Sequence, residues 1–327
     1  MLCIRYPVLA TVLVAALLTA CGGGQESSRV PADVIYQGPQ YAQGQLTTYT
    51  NVSYSQRPNP DRINYTDIST KASEKRDAVL TLKMDIWVPP NATQTRPQPL
   101  IITIHGGGFT AGSKTDDAAA FPISYARSGY VAAAINYRLT EEPDLTPERR
   151  LAAQRMALED LQNAIRFLRV YAGTYHIDPT RIATVGSSAG GALSLMNAAD
   201  ANDVANVGTG SDYQGVSAQV AAAVSTGATL IDPLVPGSYE QLTFNAGDSP
   251  VLLFHANPDP FTGATWTDNV LPTQKLFTDG GGRCEVVQQQ PSNQHTVQLG
   301  VQASVNWDAL WPFLRQALRL APLQQQS

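Results

Sequence analysis

The chain has 327 residues, 43% of them hydrophobic and 15% charged, with a formal net charge of -5. That composition supports one large buried core. The mild, mixed charge carries no basic block or basic-aromatic stripe, which argues against a nucleic-acid partner, and the absence of His-Glu-x-x-His, Cys-x-x-Cys and close histidine pairs argues against a metal. No cofactor is expected.

The first twenty residues read as an export signal: Arg5 in a short polar start, then an apolar run over residues 7–18 that is too short to span a bilayer stably. The run closes on Leu18-Thr19-Ala20-Cys21, which resembles the bacterial lipobox. That resemblance implies a lipoprotein signal peptide over residues 1–20 and a lipid anchor on Cys21 in the bacterial envelope. The alternative is an ordinary signal peptide with a chance cysteine. Gly22 is not the aspartate that commonly retains such proteins at the inner membrane, so the outer membrane or cell surface is expected. Residues 21–44, rich in Gly, Gln, Ser and Pro, read as a flexible tether, and residues 45–322 as the folded domain. With Cys3 in the signal and Cys21 in the anchor, Cys284 stands alone and is expected as a packed thiol.

Within the domain, β-forming residues cluster over 45–55 and 80–88, followed by the loop that Pro89-Pro90 opens. Strands are then predicted at 100–104 and 130–136. A long helix is predicted over 147–171, with Leu158, Leu161, Ile165 and Leu168 on one buried stripe and Glu159, Arg166 and Arg169 on its charged face. Later strands are predicted at 181–185, 220–225, 251–255 and 284–288, and helices at 267–278 and 301–320. Strands alternating with helices imply a mostly parallel sheet covered on both faces.

Two segments carry chemistry. Gly186-Ser187-Ser188-Ala189-Gly190 lies between a strand and a helix of small residues, the setting of a sharp turn that pushes a serine hydroxyl out above a sheet. The pentapeptide alone is weak, but upstream the strand at 100–104 runs into His105-Gly106-Gly107-Gly108-Phe109, an HGGG element of the kind that lines oxyanion sites. Ser188 is thus the candidate nucleophile. The backbone N–H groups of Gly107, Gly108 and Ala189 are the candidate oxyanion donors.

A serine nucleophile needs a base and an acid to orient it. Of the four histidines, only His295 lies in a loop after the last strand and before the final helix, where this architecture places its base. Asp259, just past the strand at 251–255, is the preferred acid. Asp268 is its rival, but a carboxylate at a helix start is already explained by the helix dipole, and Asp248 precedes the strand on the wrong edge. Residues 107–115 approach a phosphate-binding loop, but Ser113 between Gly112 and Lys114 breaks the required ending.

Together with Asn136-Tyr137-Arg138-Leu139 and Ile177-Asp178-Pro179, these segments resemble the α/β-hydrolase carboxylesterases related to hormone-sensitive lipase. The resemblance runs from about Leu80 to the last helix. It implies an α/β-hydrolase fold with little or no cap and a Ser188-Asp259-His295 triad. It also implies hydrolysis of carboxylic esters with short acyl chains, or of acyl decorations, through an acyl-enzyme. A peptidase or amidase on the same fold and a silent surface binding module remain open.

Overall fold

The structure is a computed structural model and describes residues 35–59, 78–116, 120–140, 146–201 and 212–320. The expected signal peptide, Cys21 and the first part of the tether lie outside the described residues.

Eight strands form one sheet in the order β1-β2-β4-β3-β5-β6-β7-β8. They are β1 (Thr47–Pro58), β2 (Val79–Val88), β3 (Gln98–Ile104), β4 (Val131–Ile135), β5 (Ile177–Ser187), β6 (Ala222–Thr226), β7 (Val251–His255) and β8 (Cys284–Gln288). β1 pairs with β2, and β2 with β4, antiparallel; every later pairing is parallel. The helices are α1 (Ala120–Arg127), α2 (Pro147–Val170), α3 (Ala189–Asp200), α4 (Leu271–Asp279) and α5 (Trp307–Ala317).

The central strands β3, β4, β6 and β7 are buried at every position because both faces are covered. In β3, Leu100, Ile102 and Ile104 enter a core completed by α2 and α3. Ile101, pointing the other way, joins Phe121 and Tyr125 of α1 and Leu310, Phe313 and Leu314 of α5. The period of two in the strand thus feeds two separate cores. Fully burying each such side chain contributes about 1.5–3 kcal/mol. Cys284 opens β8 as a buried free thiol, and burial pushes its pKa up to about 12.

The structure moves two boundaries and adds two features the sequence reading does not contain. The folded region reaches back at least to Ile35, within the stretch expected as tether. Ile35 is buried, the Tyr36 ring packs 4.7 Å from that of Tyr130, and the amides of Tyr36 and Gln40 donate to Ser128 and Arg127 carbonyls at 2.8 and 2.7 Å. An apolar and aromatic surface at the α1–β4 corner captures residues that composition alone marks as linker. The charged face of α2 is not solvated: Arg166 is 1% exposed and donates to the Val216 carbonyl at 2.9 Å, while Arg169 donates to carbonyls of Pro179 and Gln219. Returning chain at 212–219 covers that face. Finally, α5 starts at Trp307 rather than at 301, and the eight-residue α1, with Pro122 in its first turn, has no sequence signal strong enough to predict.

Candidate active site

Ser188 sits between β5 and α3 with φ +52° and ψ -120°, a left-handed conformation that L residues adopt rarely. The surroundings compel it. The Ser188 amide donates to the Thr226 carbonyl at 2.8 Å, and the Ser188 carbonyl accepts from Ala192 at 3.0 Å in the first turn of α3. A Cβ at Gly186 would lie 2.0 Å from the Gly190 carbonyl oxygen, and one at Gly190 would lie 2.2 Å from that of Ile104. Only glycine lets α3 start this close to β3 and β5.

His295 and Asp259 meet this hydroxyl. His295 Nε2 lies 2.8 Å from Ser188 Oγ, and His295 Nδ1 lies 2.8 and 3.0 Å from the two Asp259 carboxylate oxygens. Asp259 is 2% exposed and accepts the amides of Phe261 and Thr262 at 2.9 and 2.8 Å. Burial disfavours its charge, but the His295 and amide hydrogen bonds outweigh that, and its pKa is held below the ordinary carboxylate value. An anionic Asp259 selects the tautomer with the proton on Nδ1, leaving Nε2 free to accept from Ser188. Asp268 is elsewhere: it is exposed and bonds with Thr265 at the start of the next helical segment. Asp248 caps its own turn by accepting from Asn245.

The loop carrying His295 is fixed from below. The Thr226 hydroxyl accepts from the Val297 amide at 3.1 Å and donates to Gln289 Oε1 at 3.1 Å, and Asn306 brackets Gln290 through both its amide and its carbonyl. A Cβ at Gly227 would lie 2.3 Å from the His295 carbonyl oxygen. Thr226, Gln289 and Asn306 carry no motif, so sequence reasoning missed them.

The glycine strip runs beside Ser188. A Cβ on Gly106 would lie 3.1 Å from Ser188 Cβ, and Gly107 and Gly108 take φ of +106° and +61°. Ala189 begins α3 and is buried. The strip is anchored at several points. His105 is buried, stacks on Tyr137 with centroids 4.2 Å apart, and donates from Nδ1 to the Gly106 carbonyl at 2.7 Å. The Tyr137 hydroxyl donates to the carbonyls of His105 and Gly106 at 3.0 and 3.1 Å. Lys114 forms a buried ion pair with Asp85 at 2.6 Å and donates its amide to Asn136 Oδ1. Arg138 then ties the same stretch to Asp160 on α2 at 2.8 Å. Lys114 therefore has a partner inside the fold rather than a phosphate.

Behind the carboxylate, His255 Nε2 lies 4.0 Å from Asp259. Burial holds the His255 pKa below the ordinary imidazole value. Among the described residues no group of histidine, cysteine and acidic side chains is arranged to hold a metal, and no helix is long and apolar enough to cross a membrane.

Comparison with known proteins gives the same setting. The BD-FAE family model matches residues 84–232. The chain is 32% identical over 120 residues to the probable carboxylic ester hydrolase LipM of Mycobacterium tuberculosis, covering 37% of this chain and 26% of that protein. It is 31% identical over 137 residues to the carboxylesterase patB of Aspergillus clavatus, covering 35% and 23%. The matches thus span about a quarter of these curated relatives. Propionate-bound esterase 2 of Thermogutta terrifontis superposes with a TM-score of 0.59 at 21% identity, covering 76% of this chain and 93% of that one. The same esterase phosphorylated by paraoxon superposes at 0.57 and 22% identity, covering 76% and 93%. The fold is that of the α/β-hydrolase esterases.

Proposed function

We propose that this chain is a serine carboxylesterase that hydrolyses short-chain carboxylic esters, or acyl groups decorating a larger molecule, through an acyl-enzyme on Ser188. The hydrogen-bonded relay from Ser188 through His295 to Asp259 carries the reading, and the named activities of LipM, patB and the Thermogutta esterase support it.

In the first half-reaction Ser188 Oγ attacks the ester carbonyl carbon and passes its proton to His295 Nε2, while Asp259 stabilises the imidazolium that forms. The negative oxygen of the tetrahedral intermediate takes N–H donors from Gly107, Gly108 and Ala189, each such donor being worth about 100- to 1000-fold in turnover. The carbon–oxygen bond to the alcohol then breaks, and the alcohol leaves with the proton from Nε2. Water enters by the same route and releases the acid. Residues 227–250, between β6 and β7, contain turns and no helix, so no helical cap rises from that crossover. A site with no helical cap from that crossover suits small acyl groups or acylated polymers.

The test is covalent. A fluorophosphonate or paraoxon should label the wild-type protein on Ser188 and leave Ser188→Ala unlabelled, with turnover of p-nitrophenyl acetate falling by about 10⁶ in the variant. An unlabelled wild type would mean a silent binding module, and faster turnover of aminoacyl amides than of acyl esters would mean a peptidase.

We also infer that Cys21 carries a lipid anchor that holds the enzyme to the bacterial envelope, at the outer membrane or cell surface, on the strength of the Leu18-Thr19-Ala20-Cys21 pattern. Metabolic labelling with a fatty-acid analogue should mark the wild type and spare Cys21→Ala. Labelling of neither protein would refute the anchor.

A further inference from the structure

The turn that holds Asp259 points its carboxylate inward and a phenyl ring outward. Phe261 is 69% exposed, yet its ring centroid lies only 5.0 Å from that of His295. Its amide is committed to Asp259, so the side chain is free of any structural duty in holding the acid. The outer face of the turn, Pro260 and Phe261, is exposed and uncharged. Single exposed apolar side chains are ordinary, but this one stands against the proposed base, where a substrate group must come during reaction.

The chemistry fixes which half of an ester comes there. In acylation the Ser188 Oγ–carbon bond forms, the carbon–oxygen bond to the alcohol breaks, and the proton taken by His295 Nε2 goes to the departing oxygen. That oxygen must therefore come within about 3 Å of Nε2. The alcohol group is thus brought beside the imidazole that Phe261 flanks, whereas the carbonyl oxygen is directed to the glycine strip.

We propose that Phe261 is a specificity-determining residue for the alcohol half of the ester, favouring aromatic alcohols by packing against their rings. This rests on the esterase reading. A neutral aromatic surface gives nothing to an anionic alcohol, and an ethyl group is too small to cover the ring. An aromatic alcohol can meet it edge-on or offset, the geometries in which ring pairs attract.

The experiment compares benzyl acetate with ethyl acetate, whose alcohols have similar acidity and which give the same acetyl-enzyme. In Phe261→Ala the ratio of kcat/KM for benzyl over ethyl acetate should fall about three- to tenfold, the range of an aromatic pair. Phe261→Leu, which keeps apolar packing on the imidazole, should also lower the ratio, and Phe261→Trp should keep or raise it. The rate of deacylation should move less than twofold in all three, because the alcohol has left by then. If Phe261 served only to hold His295, both esters and deacylation would slow together, and the proposal would be overturned. A wild type that cleaves both esters and a Phe261→Ala variant with the same ratio would overturn it too. A wild type that cleaves neither and takes no organophosphate would instead bring down the esterase reading beneath it.

Discussion

The carbonyl of Thr226 accepts the Ser188 amide at 2.8 Å, while the hydroxyl of the same threonine accepts the Val297 amide two residues beyond His295. One residue at the end of β6 therefore sets the positions of both the proposed nucleophile and the loop of the proposed base. Thr226→Val keeps the carbonyl but orphans a buried N–H and the Gln289 contact, which should cost about 1–3 kcal/mol of stability. Because the loop moves relative to Ser188, kcat should fall more than KM rises. Thr226→Ser should restore both, and equal behaviour of the two variants in steady-state kinetics would remove Thr226 from this role.

Asp259→Asn preserves size but not charge. The tautomer with the Nδ1 proton is then no longer selected, and kcat should drop by about 10⁴ with little change in melting temperature. Asp268→Asn should keep kcat within twofold. Comparable losses in the two variants would show that the carboxylate beside His295 is not the acid.

Acid stability should report His105. Burial lowers its pKa to about 4 from the ordinary 6.5. Between those values the unfolded chain binds a proton at this site and the native protein does not, so native stability is full above pH 6.5 and is lost as pH falls toward 4. The full window corresponds to about 3 kcal/mol. His255, also lowered by burial, contributes with the same sign. Urea midpoints between pH 7 and 4.5 should decline less steeply for His105→Gln than for wild type, and parallel curves would contradict the assignment.

Gly190→Ala places a methyl group where the Ile104 carbonyl oxygen would be 2.2 Å away. Main chain on both sides leaves no flexible atom to yield, so the variant should lose on the order of 3 kcal/mol or more and lose organophosphate labelling with it. The nearby Ala192→Gly lacks that clash and should still be labelled. Full labelling of Gly190→Ala would mean that α3 can move away from β3.

What the chain determines by itself is local: strand and helix periods, the glycine-flanked turn that gives Ser188 its strained backbone, and the glycine strip after β3. These signals lie in the conformational preferences of neighbouring residues, so they can be read one segment at a time. Chain order extends this far enough to nominate His295 and Asp259. Their meeting with Ser188 depends on parallel pairing of β5, β6, β7 and β8, which brings four carboxyl ends side by side across more than a hundred residues of sequence. Only that packing decides that Arg166 is buried, that residues 35–44 belong to the fold, that Thr226 braces two loops and that Phe261 stands open beside the imidazole. Such contacts join distant segments through register and shape, and no short stretch of sequence encodes them.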